Sequence, residues 1–191
     1  MKKKIIAFAA LVLCMTVFAS STLAYFTKDD VATNVFTTGG IDINLVEKHN
    51  DNGVIVDYPR DPISVMPGTT VSKIVTVENL DEPAYIRAKF DVKIVKKDTG
   101  RQLPTDVVII AVKDNWEKHG DWYYYNVDKN YVVPTATSTT EFFDSVQFKG
   151  AEMGNEYRNC AVTVDVSVEA VQSKNNPIPS GKTIADIGGW N

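Results

Sequence analysis

The chain has 191 residues, with 20 basic and 24 acidic side chains and a formal net charge of −4. This length suffices for one domain with a sizeable core and does not require two. The acidic balance argues against nucleic acid or an anionic membrane surface as a partner.

The beginning of the chain has the pattern of an export signal. Three lysines at positions 2–4 precede an almost wholly apolar stretch, residues 5–18, and small residues then lead up to Ala24. This order predicts a cleavable secretory signal, residues 1–24, that a signal peptidase cuts between Ala24 and Tyr25.

A retained membrane helix is the alternative, because no charged residue occurs at positions 5–27. The serine and threonine cluster before Ala24 favours cleavage. The three lysines leave with the signal, so the formal charge falls from −4 to −7. We expect a protein that contacts the membrane only before cleavage and is then secreted, to the extracellular matrix or the cell surface. Of the two cysteines only Cys160 would remain, so no intramolecular disulfide is expected.

The segment after the cleavage site, residues 25–36, has an aromatic and extended character. Its apolar residues are Tyr25, Phe26, Val31, Val35 and Phe36. We treat it as a separate N-terminal arm, followed by a main domain at residues 37–172.

Alternation of apolar and polar side chains predicts strands through the main domain. The alternation is strongest at residues 84–96 and 160–170. Weaker strand patterns, separated by turn sequences, occur at residues 36–46, 54–58, 71–78, 107–112, 122–127 and 142–148. The one exception is a short helical turn near residues 114–119. The pattern predicts an all-β fold, a two-sheet antiparallel sandwich of jelly-roll-like or immunoglobulin-like type.

The C-terminal tail, residues 173–191, is rich in proline and glycine. It has little to pack except Ile184, Ile187 and Trp190. We expect the tail to be loosely ordered or to form a short terminal strand.

Residues for catalysis are scarce. A hydrolase needs a nucleophile with a base, or a metal with several ligands, and the chain has only His49 and His119, neither in a metalloprotease motif. The sequence at positions 51–53, Asp-Asn-Gly, resembles the start of a calcium loop, but a hairpin turn accounts for it better. Cys160 heads an alternating strand, which favours a small core residue over a reactive thiol. The chain therefore predicts no enzyme, no cofactor and no metal.

An aromatic cluster supports an alternative function. Trp116, Trp122, Tyr123, Tyr124 and Tyr125 could stack on sugar rings, as expected of a monomeric cell-surface or glycan-binding module. Consecutive residues of a strand point to opposite faces, so one set is expected in the core.

Several motifs, in order, resemble the TasA and CalY (camelysin) family, which Gram-positive bacteria export through a SipW-type signal peptidase. They are the signal ending at residues 22–27, residues 32–43, the turn at 67–70, and residues 77–87, 122–126, 143–148 and 168–172. One departure is Pro134-Thr135, where related chains tend to repeat Pro-Gly.

The resemblance implies a jelly-roll-like subunit that polymerises head to tail into fibres of the biofilm matrix. Residues 25–36 of one copy would complete the sheet of the next, and cleavage after Ala24 would release them. The alternatives for this arm are the first strand of its own sandwich and a flexible terminus. A minor matrix or surface partner is a further option. Family members have also carried a metallopeptidase label, but this chain lacks the ligands for that chemistry.

Overall fold

The structure is a computed structural model that describes residues 34–38, 41–59, 63 and 65–190. This part of the chain forms thirteen strands and two short 3₁₀ helices. The strands are β1 (Asn34–Thr38), β2 (Ile43–Asp51), β3 (Val54–Asp57), β4 (Thr70–Asn79), β5 (Ala84–Lys96), β6 (Gln102–Leu103), β7 (Val108–Ile110), β8 (Trp116–His119), β9 (Trp122–Tyr125), β10 (Val132–Val133), β11 (Thr137–Ser138), β12 (Phe143–Phe148) and β13 (Cys160–Gln172). The 3₁₀ helices are Asn155–Tyr157 and Ile184–Asp186.

The strands form two sheets that pack face to face. Sheet A has the order β1-β13-β5-β9-β8, with β6 and β10 also paired to β5. Sheet B has the order β3-β2-β4-β12-β7, with β11 also paired to β4. Among the described pairs only β1 with β13 is parallel. The predicted all-β, two-sheet, jelly-roll-like sandwich is confirmed.

The two strongest sequence patterns form the centre of sheet A. Strands β5 and β13 pair along their whole length, from Cys160 opposite Lys96 to Gln172 opposite Ala84. Three of their inward-facing residues, Ile86, Ala88 and Val168, are at most 1% exposed. The core between the sheets is completed by a ring cluster around Phe142 and Phe143 and by the inner faces of β2 and β4.

Two local predictions are wrong. The strand predicted at residues 36–46 is two strands, because β1 belongs to sheet A and β2 to sheet B. The chain therefore crosses from one sheet to the other within this stretch. The helical turn predicted at 114–119 contains β8 instead. Gly120 has a φ of 62°, and the tight turn around it brings β9 back alongside β8, with His119 opposite Trp122.

The expectation of a loosely ordered tail is also wrong for residues 173–190, which fold back over the outer face of sheet A. Ile184 is 1% and Ile187 5% exposed, and both pack against Tyr85, Tyr124 and Val171. By alternation with Ile86, Tyr85 lies on the face of β5 that points away from the core between the sheets, yet this outward face is apolar enough to hold a second, smaller core. The tail packs on sheet A because these side chains together remove a large hydrophobic area from water.

A buried asparagine joins the two sheets at one end. Asn79, at the end of β4, is fully buried and donates through Nδ2 to the carbonyls of Glu82 and Val133, each at 2.9 Å. Its Oδ1 accepts from the backbone N–H of Asp81 at 3.3 Å. The side chain thus links the turn after β4 to β10.

Candidate assembly edge

Strand β1 lies at one edge of sheet A. Its parallel register with β13 runs from Asn34 opposite Ser167 to Thr38 opposite Val171. On its other side β13 pairs with β5 over all of its 13 residues. The five residues of β1 therefore cover only one part of the outer edge of β13.

The remaining part of that edge, residues 160–166, pairs with no strand in the described portion of the chain. An unpaired edge presents backbone N–H and C=O groups that can accept another strand. Burial also falls along this stretch: Val162 and Val164 are only half-buried, whereas Val166 is 2% exposed and Val168 fully buried. Among the described residues, sheet A is least complete along residues 160–166 of β13.

The predicted arm residues fall on both sides of the described boundary. Val35 and Phe36 belong to β1, so at these two positions the chain forms a strand of its own sandwich, one of the alternatives that the sequence left open. The cleavage pair Ala24 and Tyr25, and the arm residues Phe26 and Val31, lie outside the described residues. Their roles stay predictions.

A buried ion pair lies on the outer face of sheet A beside this edge. Arg87 on β5 and Glu169 on β13 are opposite each other, with 2.9 Å from Nε and 2.5 Å from Nη2 to Oε2. The guanidinium carbon lies 4.3 Å from the ring centre of Trp122 and 4.6 Å from that of Trp190. Since Glu169 is opposite Phe36 in the β1 register, the C-terminal segment covers the same part of β13 that pairs with β1.

The aromatic cluster is divided between two environments. Trp116 and Tyr125 are buried in the core between the sheets, and Tyr123 packs against that core. Tyr124 and Trp122 belong to the outer cluster under the C-terminal segment. Besides Arg87, the ammonium group of Lys89 lies 4.4 Å from the ring centre of Trp122. The cluster forms no single aromatic platform, and the surface of Trp122 already contacts two cations of its own chain.

The two histidines lie in separate places. His49 Nδ1 lies 3.2 Å from the carbonyl oxygen of Asp57, and its ring meets Tyr58 edge to face. His119 Nε2 lies 2.8 Å from Glu117 Oε1. Within the described residues no three His, Cys, Asp or Glu side chains are grouped to hold a metal ion.

The two remaining candidates from the sequence are the possible calcium loop at residues 51–53 and the thiol of Cys160. The Asn52-Gly53 sequence forms the β2–β3 turn, with φ angles of 53° and 95°, as the hairpin interpretation predicted. Cys160 is half-buried, with its Sγ 3.7 Å from the carbonyl oxygens of Glu156 and Arg158.

The sequence did not indicate a hydrogen-bonded cluster around the carboxylate of Glu117. Its Oε2 accepts hydrogen bonds from Tyr131 Oη at 2.8 Å and from Asn126 Nδ2 at 2.7 Å. The bond from Tyr131 is the main cause that lowers the pKa of Glu117. Burial, and then the bond to Glu117, raises the pKa of Tyr131 to about 12. The cluster fastens the segment before β10 to β8, and no local sequence pattern signals such a contact.

Shallow grooves lie along the outer face of sheet B. One, of about 510 Å³, is lined by Thr76, residues 113–115 and residues 139–141; another, of about 460 Å³, includes Ser72, Ile74 and Ile55. Lys113 pairs with Asp144 and lies 4.0 Å from Glu141. With Asp114 the two linings contain three carboxylates and one lysine, so the grooves are acidic. Neither lining contains a histidine or cysteine to act as base or nucleophile.

No protein-family model, curated protein or solved structure matches this chain. In the described residues no helix has the length and apolar character needed to cross a membrane. The open edge of β13 is the feature of this fold with the clearest means of recognising another molecule, because unpaired backbone groups pair with an extended strand.

Proposed function

We propose that this protein is a secreted structural subunit that polymerises into extracellular fibres, the N-terminal strand of one copy completing sheet A of the next. The observation that carries the proposal is the edge of β13, which β1 covers at residues 167–171 and which pairs with no strand of the described residues at 160–166. The resemblance of the sequence to the TasA and CalY family supports the same conclusion.

The arm is long enough to cover the open edge. Continuing the β1 register backwards would place residues 27–33 alongside residues 160–166, with Val31 opposite Val164. The nine arm residues before β1, 25–33, are therefore enough to span the seven residues of open edge. Strand addition of this kind combines main-chain hydrogen bonds with side-chain alternation that matches the host sheet.

Strand β1 is suited to exchange between copies. It is a five-residue strand at a sheet edge, and parallel pairing is slightly weaker per residue than antiparallel pairing. If residues 25–38 of one copy bind β13 of another, each copy both donates and accepts a strand. Such a head-to-tail contact does not close on itself, so it generates filaments. Cleavage after Ala24 would then control assembly by freeing the arm.

Electron microscopy of two chains tests the proposal. A chain that begins at Tyr25 should form filaments, and one that begins at Asn34, which keeps β1 but lacks the preceding arm, should not. A synthetic peptide of residues 25–38 should shorten the filaments of the first chain by occupying β13. Equal filament formation by both chains would remove the arm from the mechanism.

Disulfide trapping between two different chains tests the register. Chains carrying Val31→Cys and Val164→Cys, both with Cys160→Ser, should cross-link when mixed, since paired strands lie about 4.8 Å apart. Val31→Cys mixed with Ala161→Cys is the control, because that position lies about 10 Å further along β13. Equal cross-linking in the two mixtures would contradict the register.

The alternative functions are tested separately. A glycan-binding module requires accessible aromatic rings, and the contacts of Trp122 with Arg87 and Lys89 weaken its main support. Binding on a glycan array would revive it. A metalloprotease would contain bound zinc and show chelator-sensitive cleavage, which metal analysis of the purified protein measures directly.

A further inference from the structure

A different edge of the sandwich is exposed and apolar. Strand β3 ends sheet B, and in the described residues its only strand partner is β2. Val54, Ile55 and Val56 are 62%, 51% and 37% exposed. Proteins usually shield such edges with charges, prolines or bulges, and these three positions have none. By contrast β8, the edge of sheet A opposite β1, carries Glu117, Lys118 and His119.

The backbone of β3 has a defined direction for further pairing. Asp51 and Val54 flank a two-residue turn, so they form a hydrogen-bonded pair. Hydrogen-bonded and non-hydrogen-bonded residue pairs alternate along an antiparallel hairpin. The bond from the N–H of Tyr58 to the carbonyl of Glu47, at 3.0 Å, agrees with this alternation. It follows that the N–H and C=O groups of Ile55 and the N–H of Asp57 point away from β2, whereas the carbonyl of Asp57 lies 3.2 Å from His49 Nδ1.

We infer that β3 pairs with β3 of a second copy, antiparallel about a two-fold axis at Ile55. An open backbone ladder takes an extended strand, and the order Val-Ile-Val is the same in both directions. Val54 lies opposite Val56 of the second copy, Ile55 opposite Ile55, and Gly53 opposite Asp57. No like charges are directly opposite. The Gly53 N–H and the Asp57 carbonyl already have partners in their own chain, so the remaining outward backbone groups can form about four hydrogen bonds between the copies.

The size of the contact determines whether it holds single copies together or only arrays of copies. A stable interface buries more than about 1,000 Å², and a four-residue strand falls well short of that. Single copies therefore pair weakly. Copies arrayed in series pair strongly, because each contact raises the effective concentration of the next. The contact is isologous and uses neither β1 nor the N-terminal arm, so it goes beyond the proposed head-to-tail contact and joins arrays side by side.

Cysteine cross-linking of the full 191-residue chain, with Cys14 and Cys160 replaced by serine, tests this pairing. Under mild oxidation Ile55→Cys should give about ten-fold more disulfide dimer than Val54→Cys, because position 54 of one copy lies about 8 Å from position 54 of the other, beyond disulfide reach. A mixture of Val54→Cys and Val56→Cys chains should cross-link, while neither cross-links alone. Ile109→Cys, on β7 and 41% exposed, measures random collision.

Three results would overturn the inference. The first is a dimer yield from Ile55→Cys no greater than that from Ile109→Cys. The second is an equal dimer yield from Val54→Cys and Ile55→Cys. The third is preferential cross-linking of Ile55→Cys to Val31→Cys, which would identify the N-terminal arm as the occupant. Sedimentation gives a second measurement: Ile55→Lys should reduce self-association by opposing two like charges, and Ile109→Lys should not. Loss of association in both variants would also count against the two-fold pairing.

Discussion

Arg87 donates two hydrogen bonds to a single carboxylate oxygen of Glu169, directly across the pair of central strands β5 and β13. Only 7% of the Arg87 side chain and 10% of the Glu169 side chain are exposed. Trp190 stacks on the guanidinium group and donates through Nε1 to the carbonyl of Ile184 at 3.0 Å. The ion pair therefore connects the centre of sheet A to the C-terminal segment.

Replacing Arg87 with alanine should destabilise the fold by about 3–5 kcal/mol, because Glu169 would be left buried without its partner. Lys93→Ala is the matched control on the same two strands, since Lys93 lies 2.9 Å from Asp165 but is 51% exposed. Its removal should destabilise the fold far less, because solvent screens an exposed ion pair. Urea denaturation measures both, and equal losses would show that the burial of the Arg87 pair does not matter.

Ile184→Ala should cost about 2–5 kcal/mol if the C-terminal segment is part of the folded domain, because the substitution opens a cavity beside Tyr85 and Tyr124. Lys182→Ala, at an exposed position in the same segment, should have an effect within about 0.5 kcal/mol. Thermal unfolding of the two variants provides the measurement. An Ile184→Ala protein as stable as the wild type would mean that the segment contributes little to folding.

Glu117 should make stability depend on acid pH. The pKa of this carboxyl is lowered in the folded protein, chiefly by the hydrogen bond from Tyr131, so the unfolded chain binds the proton more readily. The stabilisation is present above the unfolded pKa of about 4.3 and is lost as the pH falls through the lower folded value.

Glu117→Gln should therefore be less stable than the wild type at neutral pH, and the difference should shrink below about pH 4. Urea midpoints at several pH values measure this convergence. Glu152→Gln, which removes the carboxylate paired with Lys149 at an exposed site, should show a smaller difference at every pH. A constant gap between Glu117→Gln and the wild type would refute the pKa argument.

Asn79→Asp should destabilise the sandwich by at least about 2 kcal/mol although the two side chains have nearly the same shape. A carboxylate cannot donate to the carbonyls of Glu82 and Val133, and it would be buried with a charge. Asn175→Asp, at an exposed position, is the control with an expected change below about 0.5 kcal/mol. Chemical denaturation of both variants distinguishes loss of the donors from a general effect of added charge.

Strand prediction succeeded where the pattern is local and long. The alternation at residues 84–96 predicted the observed bounds of β5, because one face of this strand is packed over its whole length. It failed for β6, β10 and β11, which have two residues each and exist only because they lie beside β5 or β4. Two residues carry no period, so no sequence pattern can indicate them.

The candidate edge was only partly predictable for a related reason. The character of residues 25–36 indicated a strand that could be donated, and Val35 and Phe36 do belong to a strand. No pattern in the sequence showed that β1 would lie parallel to β13, more than one hundred residues away. Nor did any pattern show that Tyr85 and Arg87, polar-face positions by alternation, would be covered by the C-terminal segment.

By itself the sequence determined the class of fold and the scarcity of catalytic side chains, because strand periodicity and residue inventory are properties of short stretches of chain. Only the tertiary structure decided which strands end each sheet. An edge is defined by what lies beside a strand, so the stretch of β13 that β1 leaves uncovered and the exposed apolar strand β3 follow from sheet order. The two proposed contacts between copies depend on those edges.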